Sequence, residues 1–134
     1  MKKYAGLLFA LLLMGIACEK DDSPADTFSN SLALGTGLNP ANAFELSGQG
    51  TVFQAGSLIY FRLESKDDMA GSPVRIHIKE VTTQVSVQFD YPSLQEYGHI
   101  YLSSFTVPAP GNYIATGILI EGDKTIATVN FTSQ

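Results

Sequence analysis

Apolar side chains recur at every second position through most of this chain, a period that suits strands and excludes helices. In residues 73–80, Val74, Ile76 and Ile78 alternate with Arg75, His77 and Lys79. Successive strand side chains point to opposite faces, so this pattern turns one face to a core and the other to water. Val85, Val87 and Phe89 repeat the device against Ser86, Gln88 and Asp90, and Ile59, Phe61 and Leu63 share one face of residues 57–64. Residues 99–107 read as a further strand, with a bulge expected around Ser103 and Ser104. Residues 112–120 are apolar on both faces, as in a central strand covered on each side. Residues 124–132 follow after Glu121-Gly122-Asp123, a connection of hairpin type, with Ala127, Val129 and Phe131 in register. Residues 31–36 supply an earlier edge strand, and no window sustains a 3.6-residue apolar period.

About seven short strands joined by turn signals predict an all-β fold, a β-sandwich of immunoglobulin-like type. Pro108-Ala109-Pro110-Gly111-Asn112-Tyr113 places a tyrosine just after a Pro/Gly corner, where its hydroxyl can bond back to the preceding loop. In antibody domains a cysteine follows two positions later; here that residue is Ala115, and the chain has no Trp. Packing alone must therefore join the sheets, and a domain spanning residues 31–134 is long enough to bury a two-layer core. Thr51-Val52-Phe53, Gly56, the Pro-Gly-x-Tyr corner and the final hairpin are together similar to bacterial Ig-like lipoprotein domains.

The front of the chain has another character. Lys2 and Lys3 precede an uncharged apolar run over residues 4–17. A membrane-spanning helix needs about 20 such residues, whereas a signal-peptide core needs fewer. The run ends Gly15-Ile16-Ala17-Cys18, and polarity flips at once to Glu19-Lys20-Asp21-Asp22. This junction resembles a bacterial lipoprotein signal peptide, although Gly15 stands where that family prefers Leu. The resemblance implies cleavage after residue 17 and acylation of Cys18. One acyl chain binds a bilayer marginally while two or three hold effectively for good, so the implied partner is a membrane reached through lipid on Cys18. The lysine and acids behind it, Lys20, Asp21 and Asp22, resemble the export signal of Bacteroidota surface lipoproteins. Residues 18–30 then form a flexible acidic tether, roughly 20 Å long as a coil and about 40 Å if pulled straight.

Charge and chemistry narrow the function. The chain carries eight basic and thirteen acidic residues, and losing Lys2 and Lys3 takes the net charge from -5 to -7. Phosphate binding needs clustered cations, so nucleic acid is set aside. A single cysteine excludes a disulfide framework and Cys-rich zinc sites. His77 and His99 lack ligand spacing, and Asp67 and Asp68 lack the alternate-oxygen pattern of a calcium loop. Gly35-Thr36-Gly37 and Gly48-Gln49-Gly50 precede no helix, so they read as turns rather than phosphate cradles. No Gly-x-Ser-x-Gly elbow is present. The expectation is a non-enzymatic, lipid-anchored outer-membrane protein, exposed at the surface as a binding or spacer module, with no cofactor or metal. One alternative is a carbohydrate-binding module using Tyr91, Tyr97 and Tyr101, since exposed rings favour interfaces. The other is a periplasm-facing assembly lipoprotein. The partner is a protein or glycan that the sequence does not name.

Overall fold

The computed structural model describes residues 27–69, 71–94 and 98–134, and within them the alternating segments are strands. Cys18, the Lys20–Asp22 motif, residues 1–17 and Tyr97 lie outside the described residues. Ten strands occur in chain order: β1 (Ser31–Gly35), β2 (Gly37–Leu38), β3 (Leu46–Ser47), β4 (Val52–Phe53), β5 (Leu58–Glu64), β6 (Val74–Glu80), β7 (Ser86–Tyr91), β8 (Ile100–Thr106), β9 (Gly111–Leu119) and β10 (Lys124–Ser133). They form a three-stranded sheet, β1-β5-β8, a five-stranded sheet, β4-β10-β9-β6-β7, and the small β2-β3 ladder. The molecule is an all-β sandwich. No helix among the described residues is long and apolar enough to cross a membrane.

The core lies between the two larger sheets, where Ile59, Phe61 and Leu63 of β5 join Val74, Ile76 and Ile78 of β6 in one buried cluster. Each of these six side chains is at most 1% exposed, so each contributes roughly 1.5–3 kcal/mol of burial. Aromatic rings fill the seam beside them. Phe61 meets Tyr91 edge-on at 5.2 Å and lies parallel to Tyr101 at 6.3 Å. Tyr113 stacks on Phe131 at 5.3 Å.

Three sequence expectations need correction. β8 pairs with β5 in continuous register from Leu58↔Thr106 to Glu64↔Ile100, so no bulge falls at Ser103 or Ser104. The irregularity lies instead between Thr125 and Ala127 in β10. The extra residue there, Ile126, is buried, and beyond it Ala127, Val129 and Phe131 share the core-facing side as expected, the first two partly buried against the core. β9 is central in its sheet, yet Ile114 and Ile118 on its outer face are only half-buried. They sit across from Lys79 and Arg75 on the face turned away from the core. Finally, Val85 and Val87 are not core residues. Phe89 and Tyr91 of β7 pack against the core, but the hairpin end of the strand, where Val85 and Val87 stand, is open.

The corner motif behaves as its residues require. Tyr113 donates from its hydroxyl to the Ala109 carbonyl at 2.7 Å, and its ring is buried. Tyr113→Phe is expected to keep the ring and lose the bond, at a cost of about 0.5–1.5 kcal/mol in urea unfolding. A variant as stable as the parent would show that the corner is held by ring packing alone. The β9–β10 connection turns through Gly122 (φ 79°) and Asp123 (φ 50°), the paired left-handed geometry of a tight hairpin.

The registers also give the sandwich two distinct ends. β1 begins beside the end of β5, with Ser31 opposite Glu64, and β8 starts there too, with Ile100 opposite Glu64. The β9–β10 turn joins this end, because Ile120 N–H donates to Pro73 O just before β6. The β6–β7 hairpin, the Pro108–Pro110 corner and the β4–β5 turn all lie at the other end, tied by Val81 N–H to Asn112 O and Gly56 N–H to Val107 O. The chain enters at one end, and the apolar corner is at the other.

Candidate binding surface

Where the chain enters, its last tether residues are fastened to the sandwich. Phe28 stacks on His99 with centroids 4.2 Å apart and rings 1° from parallel. Ser29 N–H donates to Glu64 Oε2 at 2.7 Å, and Lys66 N–H donates to Asn30 Oδ1 at 2.7 Å. Arg62 Nη1 donates to Glu64 Oε1 at 2.7 Å, and Arg62 Nε donates to Phe44 O, which also ties the excursion between β2 and β3 to this sheet.

Glu64 is thus the bolt of the entry end. Burial opposes its charge, but the Ser29 N–H and the Arg62 guanidinium outweigh it, and the carboxyl titrates below its ordinary 4.5. A carboxylate with a lowered folded-state pKa adds stability above its unfolded pKa and loses it as pH falls through the folded value. The domain is therefore expected to lose stability below about pH 4.5, and Glu64→Gln to flatten part of that slope. Equal slopes in denaturant melts of parent and variant, taken through that range, would contradict the assignment.

The opposite end carries most of the exposed large apolar side chains among the described residues. Val52, Leu58, Val81, Val85 and Val87 lie there or run toward it, whereas Leu38 and Phe44 belong to the β2–β3 excursion. Val85 is 67% exposed and Val87 50%, against 0–1% for their neighbours Val74, Ile76 and Ile78 on β6. Between this hairpin and the corner runs an apolar groove of about 380 Å³, lined by Ile78, Val85, Val87, Val107, Pro108 and Pro110. Glu80 stands at its rim with its carboxylate already engaged, because the Thr82 and Thr83 N–H groups donate to it at 3.0 and 2.8 Å. Those bonds hold Glu80 below the usual carboxylate range. The groove is built for apolar contact: rigid prolines on one wall, valines on the other, and its one acid held as a carboxylate by backbone N–H groups.

The sequence candidates fall elsewhere. Tyr101 is 3% exposed and its hydroxyl donates to Pro92 O, so its ring belongs to the core and offers no face to a sugar. Tyr91 is half-buried and donates to Ser104 O at 2.7 Å. Burial, reinforced by Tyr101 beside it, pushes the Tyr91 hydroxyl up to about 12. It therefore remains a donor that bridges the two sheets. His77 lies on the outer face of β6, partly exposed. His99 is occupied by Phe28 on its face and by Ser65 O, 3.1 Å from Nδ1. Asp67 pairs with Lys124 at 3.2 Å. No three His, Cys, Asp or Glu side chains converge among the described residues.

A second hollow of about 450 Å³ lies by Asn112, Asn130 and Thr132. Its polar groups answer one another, with Thr132 Oγ1 donating to Asn112 Oδ1 at 2.9 Å. The apolar groove was not foreseen from the sequence, because the alternation of residues 85–89 reads as core. The missing signal is how far the opposing sheet reaches along β7, which covers Phe89 and Tyr91 but not Val85 and Val87. No protein-family model matches the sequence, and no curated protein matches it.

Proposed function

We propose that this chain is a non-enzymatic, lipid-anchored protein of the bacterial cell envelope that holds a binding end away from the bilayer. The observation that carries the reading is the opposition of the two ends. The chain enters at the Phe28–His99 stack, while the apolar groove opens at the far end beside Pro108 and Pro110. A module joined to a membrane through residues 18–26 would turn that groove outward. The Gly15-Ile16-Ala17-Cys18 junction supplies the anchor, and Lys20, Asp21 and Asp22 supply the address for display on the outer membrane.

The immunoglobulin-like form of the sandwich belongs to the same proposal. Two sheets, antiparallel except for the β4–β10 pair, with β5 and β8 on one side and β6, β9 and β10 on the other, closed by a tyrosine corner, support it. Apolar walls and an engaged Glu80 favour capture of a partner over catalysis.

Metabolic labelling with palmitate tests the anchor. The parent chain is expected to take up label and to sediment with outer membranes; Cys18→Ala is expected to do neither. Label retained by Cys18→Ala would overturn the anchor. Protease accessibility on intact cells tests the address, which fails if alanines at Lys20, Asp21 and Asp22 leave exposure unchanged.

A further inference from the structure

Strand β7 ends the five-stranded sheet and pairs only with β6 among the described residues. A free edge templates another strand unless lysine, proline, a bulge or a covering segment blocks it. Residues 81–89 contain no charge, no proline and no glycine, and the β6–β7 register runs without a shift. Glu80 N–H donates to Val85 O at 2.9 Å, which sets the phase of the ladder. Hydrogen-bonded and non-bonded pairs alternate along antiparallel strands. Val85, Val87, Phe89 and Tyr91 therefore bond toward β6, and Ser86, Gln88 and Asp90 turn their backbone N–H and C=O groups to the free side.

We propose that this edge pairs with β7 of a second copy of the chain, antiparallel, about a two-fold axis at Gln88. That register sets Ser86 opposite Asp90 of the second copy and Gln88 opposite its own counterpart, so every outward backbone group of β7 gains a partner. On the groove side it sets Val87 opposite Phe89 and Val85 opposite Tyr91, and apolar meets apolar throughout. Charge selects this edge for self-association. Two copies at -5 each, or -7 after loss of residues 1–17, repel over most of their surface. Along β7 the one charge, Asp90, is held by Arg75 at 2.8 and 3.1 Å and faces Ser86 of the second copy rather than another acid. The chain's own residues 19–26 fit the edge poorly, since they carry Glu19, Asp21, Asp22, Asp26 and Pro24.

The axis is perpendicular to the strands, so the two Phe28 ends point away from each other. For copies held through Cys18, which rests on the lipid-anchor reading above, the pairing links facing membranes.

Cysteine cross-linking of the full chain in detergent tests the edge. Opposed Cα atoms in a hydrogen-bonded antiparallel pair are about 5.5 Å apart, within disulfide reach. Gln88→Cys is expected to give an oxidised dimer well above the level of the parent, whose one cysteine is Cys18. Asn130→Cys, exposed on β10, is expected to stay at the parental level. Adding Val87→Lys to Gln88→Cys is expected to abolish the dimer, and because Val87 is half exposed the fold survives, as far-UV circular dichroism would record. Three results overturn the proposal: no dimer from folded Gln88→Cys, equal dimer from Asn130→Cys, or cross-linking in cells to a different protein alone. Palmitate labelling is scored separately, so loss of the anchor reading leaves the cross-link result standing.

Discussion

Phe61→Ala is expected to cost about 3–5 kcal/mol of folding stability, the range for emptying a buried aromatic site. Phe61 is 0% exposed at the centre of β5, with Tyr91, Tyr101 and Phe105 around its ring at 5.2–6.4 Å. Those neighbours cannot collapse into the vacancy, because two of them are held by their hydroxyls. Tyr91 is bonded to Ser104 O and Tyr101 to Pro92 O, so refilling the cavity means breaking a buried bond. For a domain of this size, each kcal/mol lowers the melting temperature by roughly 4 °C or more, and a fall of about 15 °C is expected. The denaturant midpoint should drop with little change in slope. A second readout is local. With the ring gone and water admitted, the Tyr91 hydroxyl should titrate below its present value of about 12, back toward 10. A loss under 1 kcal/mol, or an unmoved tyrosine titration in a folded variant, would show that the two tyrosines pack without Phe61.

Much of this core was legible because period-two alternation is a local signal. Residues 57–64, 73–80, 112–120 and 124–132 were expected as strands and are observed as Leu58–Glu64, Val74–Glu80, Gly111–Leu119 and Lys124–Ser133. Tyr113 was equally legible, since a Pro/Gly corner fixes where its hydroxyl can reach. The two-residue strands β2, β3 and β4 were not, because each is a strand by virtue of a distant partner. Val52 and Phe53 are in a ladder only where they lie parallel to Thr132 and Ser133. The Gly-x-Gly segments make the same point. They were expected as turns, and they face one another, with Thr36 N–H donating to Ser47 O and a Cβ on Gly48 falling 2.0 Å from Thr36 Oγ1.

The binding surface was the least legible part, for a physical reason. Alternation assigns Val85 and Val87 to the inner face, and they are on it, opposite Glu80 and Ile78. Burial depends on whether the other sheet reaches that far. It reaches Phe89 and Tyr91, which meet Phe105 and Ser104 of β8, and stops short of Val85 and Val87 at the hairpin end. The same limit governs the tyrosines: the sequence places Tyr101 in a strand, and only the register with Leu63 puts it inside.

A close contact between the sheets gives the second large effect. Gly117 lies in the middle of β9 on the core side, and a Cβ there would fall 2.6 Å from Leu63 Cδ1. Leu63 is itself fully buried and fills the space a side chain would take. Gly117→Ala is expected to cost about 1–3 kcal/mol through overpacking, against the general gain when glycine in a regular element is replaced. Leu63→Ala alone should cost about 2–5 kcal/mol as a cavity. Combined, they should partly cancel, because the new methyl occupies room the leucine vacates. A double-mutant cycle in urea is expected to give a coupling of about 1 kcal/mol or more in the favourable sense. Strict additivity would mean that Leu63 does not set the spacing of β5 over β9. A stabilised Gly117→Ala would mean that the leucine finds another rotamer at no cost.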